Sequence, residues 1–95
     1  MNTRKRISAT VTGRVQGVWF RDFTRRVARS LNVSGFVRNQ PDGTVYLEAE
    51  GSTSDINELM KAVKQGSPLS RVDRVLIQYL PMDGDSSPFE IRYGG

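Results

Sequence analysis

Residues 35–50 read Gly35-Phe36-Val37-Arg38-Asn39-Gln40-Pro41-Asp42-Gly43-Thr44-Val45-Tyr46-Leu47-Glu48-Ala49-Glu50, two extended runs around a turn. At the centre, Gln40-Pro41-Asp42-Gly43 supplies a proline with fixed φ, an aspartate that can bond its own backbone, and a glycine tolerant of positive φ. That combination reverses the chain. In the second run Val45, Leu47 and Ala49 point one way and Tyr46, Glu48 and Glu50 the other, as in a strand with one buried face. Gly35–Asn39 and Thr44–Glu50 are therefore expected to form a β-hairpin at the middle of the chain.

Outward from the hairpin, the N-terminal arm carries one helix and one strand, and the C-terminal arm one helix and two strands. Towards the N-terminus, Phe20, Phe23, Val27, Ala28 and Leu31 recur at helical spacing, with Arg25, Arg26 and Arg29 between them. Before that helix, Ile7, Ala9 and Val11 alternate with Ser8, Thr10 and Thr12 as a strand. Towards the C-terminus, Ile56, Leu59, Met60 and Val63 make the apolar stripe of a second helix, ended by Gly66 and Pro68. Val72 to Leu80 is a further strand, and after the turn-rich stretch Pro81 to Pro88 the alternation of Phe89, Ile91 and Tyr93 predicts a short last one. The order is β-α-β-β-α-β with a strand appended. Two βαβ-type units joined by a hairpin predict an α+β, ferredoxin-like sandwich: an antiparallel four- to five-stranded sheet with both helices on one face. No repeat, low-complexity tract or linker interrupts residues 1–95, which read as a single domain.

Composition removes several chemistries. The 95 residues include no cysteine and no histidine, so no thiolate nucleophile, disulfide framework or neutral-pH imidazole is available. Asp and Glu show no spaced cluster resembling a cation site, so no metal is expected. The longest apolar stretch, around Val75 to Leu80, is too short to span a bilayer, and the expectation is a soluble, cytoplasmic protein with no membrane partner. The net charge of +4 is uneven, with +7 in residues 1–30 and −3 in the remainder. Such a field attracts anions, be they nucleic acid, anionic lipid or a phosphorylated metabolite, unless the basic face is merely solvated. Nucleic acid is disfavoured, because the strand 44–50 offers one tyrosine beside two carboxylates that repel phosphate.

The two helix starts differ. Ser52-Thr53-Ser54-Asp55 precedes the second helix, with Glu58 three residues after Asp55, and these side chains can satisfy the free N–H groups of a first turn. The first helix follows Gly13-Arg14-Val15-Gln16-Gly17-Val18-Trp19, with no Ser, Thr, Asp or Asn to cap it. Its leading N–H groups need another acceptor. Gly17 allows a sharp turn in which successive N–H groups converge, and the helix dipole adds positive potential. Arg21 in the first turn is unfavourable for the dipole alone, yet suits an anion held between loop and guanidinium. The alternative is water at that place and Arg21 as a surface cation. A Walker loop is excluded, because Val18-Trp19-Phe20 stands where that motif has glycine, lysine and a hydroxyl residue.

Gly13-Arg14-Val15-Gln16-Gly17-Val18-Trp19-Phe20-Arg21 resembles the acylphosphatase signature, G-x-V-Q-G-V-x-F-R. Gly35 to Val45 is similar to that family's second block. Gly66-Ser67-Pro68, Ser70-Arg71-Val72-Asp73 and Phe89-Glu90-Ile91-Arg92-Tyr93 extend the likeness over essentially the whole chain. The resemblance implies the ferredoxin-like fold and hydrolysis of a small acyl phosphate, without cofactor or metal. It further implies a phosphate cradle formed by Arg14, Val15, Gln16, Gly17, Val18, Trp19 and Phe20 together with Arg21, and catalytic roles for Arg21 and Asn39. Inorganic phosphate or sulfate would compete for the cradle, and the protein is expected to be a monomer. Gln40 departs from the pattern, since many members carry threonine after the asparagine.

The implied reaction suits this composition. A carboxylate leaving group, with a conjugate acid of pKa about 4, departs without protonation, so no general acid is required. Holding the phosphoryl group, neutralising its oxygens and aiming a water remain to be done. Asn39 can position that water but cannot act as a strong base, and the proton can pass to the substrate phosphate. A non-catalytic anion-binding or regulatory domain is the alternative reading, weakened by the presence of both Arg21 and Asn39. Trp19 and Phe20 are expected to pack in the core or at the rim, with Trp19 near the acyl group. Gln16 is expected to orient the loop, Arg25 and Arg29 to steer anions or face solvent, and Asp22 and Arg26 to form a surface pair.

Overall fold

Alternation and helical spacing become discrete elements in a computed structural model, which describes residues 3–93. In chain order they are β1 (Arg4–Arg14), α1 (Phe20–Ser30), β2 (Ser34–Asn39), β3 (Val45–Ser52), α2 (Thr53–Gln65), β4 (Arg71–Leu80) and β5 (Glu90–Ile91). The sheet order is β4-β1-β3-β2-β5, the interleaved order of a ferredoxin-like sandwich. No helix among the described residues is long and apolar enough to cross a membrane.

Register follows the apolar pattern. Ile7, Ala9 and Val11 pair across the ladder with Ala49, Leu47 and Val45, so one face carries all six side chains. Phe20 and Ala28 of α1 and Ile56, Leu59 and Val63 of α2 are buried in the same core. The end of β1 is bent by a bulge between Thr12 and Gly13. Gly13 has φ 139°, and a Cβ there would lie 2.1 Å from the Arg71 carbonyl oxygen, so only glycine lets β1 close on β4 before turning away. At the other end of α1, Asn32 takes φ 56° and the Val33 N–H bonds the Ala28 carbonyl at 2.9 Å, the closing bond of a Schellman cap.

β1 to β4 pair antiparallel, as expected, whereas β5 lies parallel to β2 and makes the sheet mixed. The path of residues 81–88 explains this. β4 ends with Leu80 beside Arg6, at the end of the sheet where Glu50 pairs with Ser34, the first residue of β2. The Asp83 N–H donates to Glu50 Oε1 at 2.8 Å, which keeps the crossing segment at that end. The chain therefore enters β5 from the end at which β2 begins. β5 is also shorter than the alternation of Phe89, Ile91 and Tyr93 suggests, although the Arg92 N–H still donates to the Val37 carbonyl at 2.9 Å.

The sheet face away from the helices holds a charged cluster. The Arg6 guanidinium donates to Glu48 at 2.8 Å and to Glu50 at 3.1 Å, and the Tyr46 hydroxyl donates to Glu48 at 2.8 Å. Burial opposes the charge on all three ionic groups, but their mutual bonds, with the Asp83 N–H on Glu50, outweigh it. Arg6 is held above its ordinary pKa, and Glu48 and Glu50 below theirs. Alternation put Glu50 on the polar face; the crossing segment buries it completely.

Candidate active site

The segment between β1 and α1 is anchored from beneath. Val15, Val18 and Phe20 are buried in the core, while Gly17 and Trp19 are exposed between them. Gly17 (φ 72°) and Trp19 (φ 63°) both take left-handed backbone, and nothing lies within 4 Å of where a Gly17 Cβ would be. That side of the loop is open. The Val18 carbonyl faces the buried Ser67 hydroxyl at 3.5 Å, so across the planar peptide the Trp19 N–H is directed away from Ser67.

Trp19 is the N-cap of α1 and supplies no side-chain cap. The first helical bond runs from the Phe23 N–H to the Trp19 carbonyl at 3.0 Å, so the N–H groups of Phe20, Arg21 and Asp22 precede the ladder. α2 shows the contrast, with Ser52 Oγ accepting from the Asp55 N–H at 3.1 Å. Ser52 is thus the cap, and Asp55 stands in the first turn.

Among the described residues, Arg21 has no carboxylate partner; its Cζ lies 5.0 Å from the centre of the Tyr93 ring. Asp22 instead holds Arg25, and Arg26 at 3.1 Å, which includes the expected surface pair. Arg29 is exposed, as one of the expected alternatives has it, and its Nε donates to the Phe89 carbonyl at 2.8 Å, which clips the approach to β5 onto α1. A cleft of about 370 Å³ opens here, lined by Val15, Gly17, Trp19, Phe20 and Arg21 and by Ile91 and Tyr93 from the C-terminal segment. Trp19 is 74% exposed at this cleft and packs in no core, whereas Phe20 is buried as expected.

Arg14, Gln16, Val18 and Asn39 do not line the cleft. Arg14 ends β1 opposite Arg71 and is exposed. The Gln16 side chain is committed to the hairpin, with Nε2 donating to the carbonyls of Gln40 at 2.8 Å and Thr44 at 2.9 Å. It therefore ties the loop to the residue that follows Asn39. Gln40 in turn donates from its side chain to Thr44 Oγ1 at 2.8 Å, and Asp42 accepts from the Thr44 hydroxyl and N–H. Those bonds hold the Asp42 carboxyl below its ordinary pKa. Asn39 ends β2 with its backbone opposite Val45, and its Oδ1 is buried without a hydrogen-bond partner. Ile91 and Tyr93 join the cleft unannounced by any local signal; the sequence presents them only as alternate residues of a strand.

The acylphosphatase family model matches residues 7–91. A protein of Salinibacter ruber named acylphosphatase is 49% identical over 90 residues, covering 95% of each chain. The crystal structure of acylphosphatase from Bacillus subtilis superposes with a TM-score of 0.89 at 34% identity, over 96% of this chain and 100% of that one. An acylphosphatase structure from Coxiella burnetii gives 0.88 at 35% identity, over 94% and 93% of the two chains.

Proposed function

The chain belongs to the acylphosphatase family and is an enzyme of that type, and we propose that its reaction takes place where the β1–α1 loop meets the uncapped start of α1. In this reading the N–H groups of residues 14–20 and the Arg21 guanidinium hold the phosphoryl group of an acyl phosphate. Asn39 orients the attacking water. The observation that carries the reading is the start of α1: no side chain caps it, and Arg21 stands in its first turn without a carboxylate partner among the described residues. A cation is disfavoured there by the helix dipole unless an anion lies between the two.

The chemistry follows from the groups present. Water forms a bond to phosphorus, the bond from phosphorus to the acyl oxygen breaks, and the carboxylate leaves with the electron pair. The proton lost by the water ends on the phosphate, so acyl phosphate dianion and water become carboxylate and dihydrogen phosphate. Fixed N–H groups and a fork-shaped guanidinium aimed at the equatorial oxygens stabilise charge without reorganisation. In this reading the Asn39 side-chain amide, which offers both a donor and an acceptor but no strong base, holds the water by hydrogen bonds and fixes the direction of attack. Gln16 binds the loop to the hairpin and so sets the spacing between cradle and water site. No cofactor enters these steps.

The test is steady-state hydrolysis of benzoyl phosphate by the protein and by Arg21→Lys. Lysine keeps the charge and loses the two-pronged geometry. Turnover and inhibition by inorganic phosphate should both weaken by at least about 10²-fold. A lysine variant as efficient as the parent would make Arg21 a surface cation and end this reading.

A further inference from the structure

Trp19 and Tyr93 are large aromatic side chains left 74% and 77% exposed, and both line the cleft at Arg21. The core does not need them: Phe20 and Phe89 are the fully buried aromatics near these positions. Trp19 is moreover set in left-handed backbone at φ 63°, a conformation strained for any residue with a Cβ. The cleft, about 370 Å³, is of the size that takes a whole small organic molecule and not a phosphate alone. Its apolar side is formed by the exposed rings of Trp19 and Tyr93 and by Ile91, with the buried Val15 and Phe20 beneath, and Gly17 and Arg21 stand beside it. The remaining charges there, Asp22 and Arg25, are paired with each other.

We propose that this apolar part of the cleft is a subsite for the acyl group, and that Trp19 and Tyr93 make the enzyme favour aromatic acyl phosphates over short aliphatic ones. The inference rests on the reading that Arg21 and the 14–20 loop hold the phosphoryl group. Geometry then limits where the acyl group goes. It is joined to phosphorus through a single oxygen, and the centre of the Tyr93 ring is 5.0 Å from Arg21 Cζ. A group bonded to a phosphate on that guanidinium falls within reach of the ring. A planar aryl substituent can stack on or abut indole and phenol faces, where a methyl group covers little of either. The pair Arg21–Tyr93 also admits a different role, in which the ring merely holds the guanidinium by cation–π attraction. That role affects every substrate and inorganic phosphate alike.

The experiment compares kcat/KM for benzoyl and acetyl phosphate in the parent, Tyr93→Ala, Tyr93→Phe and Trp19→Ala, with inhibition by inorganic phosphate measured alongside. Trp19 is the single tryptophan, so its emission can also be titrated with benzylphosphonate and methylphosphonate. The benzoyl-to-acetyl ratio should fall about tenfold in each alanine variant and stay near the parent value in Tyr93→Phe. Benzylphosphonate should shift the Trp19 emission, and methylphosphonate should leave it in place. An unchanged ratio in both alanine variants overturns the subsite. So do equal losses on both substrates with weaker phosphate inhibition in Tyr93→Ala, which reduce the ring to a support for Arg21. A parent protein that hydrolyses neither compound removes the reading of the whole site, and the subsite with it. Should Trp19→Ala fail to fold in a denaturant melt, the ratio in Tyr93→Ala decides alone.

Discussion

Gln16→Ala removes the one side chain that, among the described residues, hydrogen-bonds the β1–α1 loop to the hairpin. It deletes two hydrogen bonds, from Nε2 to the Gln40 carbonyl at 2.8 Å and to the Thr44 carbonyl at 2.9 Å. Neither carbonyl is orphaned by the loss. Gln40 O still accepts from the Gly43 N–H at 3.1 Å, and Thr44 O from the Gln40 N–H at 2.9 Å. The cost is therefore that of the bonds themselves, about 1 kcal/mol each and about 2 kcal/mol together, without a further penalty for buried unpaired oxygen. For a domain of this size, the melting temperature should drop by about 8–16 °C. The effect on catalysis is separate. With the tie cut, cradle and Asn39 no longer share a fixed spacing, and a displacement of about 1 Å can lower turnover by about 10²-fold. Affinity for inorganic phosphate should change far less than kcat, because the loop remains anchored by Val15 and Val18. Gln16→Glu should be worse than alanine, since a carboxylate would face two carbonyl oxygens. The assays are a thermal melt, kcat with benzoyl phosphate, and the phosphate inhibition constant. A variant that melts within 2 °C of the parent (well below about 8 °C), or that loses phosphate affinity as steeply as kcat, would refute the reasoning.

Asn39→Ala should lower kcat by at least about 10²-fold while inorganic phosphate inhibits nearly as before, because the amide acts mainly in the transition state. The variant should melt close to the parent, since Asn39 Oδ1 makes no hydrogen bond that folding would lose; unchanged turnover would send the search for the water's partner elsewhere. Acid should destabilise the protein through Glu48 and Glu50. Both carboxyls are held below the ordinary value of 4.5, so their contribution is fully present above that pH and fades as pH falls through the lower folded values. Melts from pH 7 downward should show this loss, and Glu50→Gln should flatten the acid limb; an equally steep limb in that variant would place the titrating groups elsewhere.

How far the sequence determines this protein depends on the range of each interaction. Alternation in Ile7-Ala9-Val11 and Val45-Leu47-Ala49, the stripe Ile56-Leu59-Met60-Val63, and the turn at Gln40–Gly43 involve neighbours a few residues apart. Their periods therefore survive unchanged into β1, β3, α2 and the hairpin. The missing cap on α1 was legible for the same reason, because capping is decided within one turn, and the structure shows Trp19 supplying none. Local pattern also sorted Glu50 onto the polar face of its strand.

What local pattern could not carry is where separate segments meet. The direction of β5 depends on residues 81–88 staying at one end of the sheet, which a hydrogen bond between Asp83 and Glu50 secures across the fold. The same crossing buries Glu50 and makes it an ion-pair partner of Arg6. The bond from Arg29 Nε to the Phe89 carbonyl likewise joins α1 to a segment 60 residues further along the chain. Gln16 found its partners in a hairpin it does not adjoin, and Tyr93 came to Arg21 from the opposite end of the chain. Secondary structure follows from periodicity, which the sequence states directly. The cleft follows from close approach between distant segments, and only the packed tertiary structure brings those within ångströms of each other.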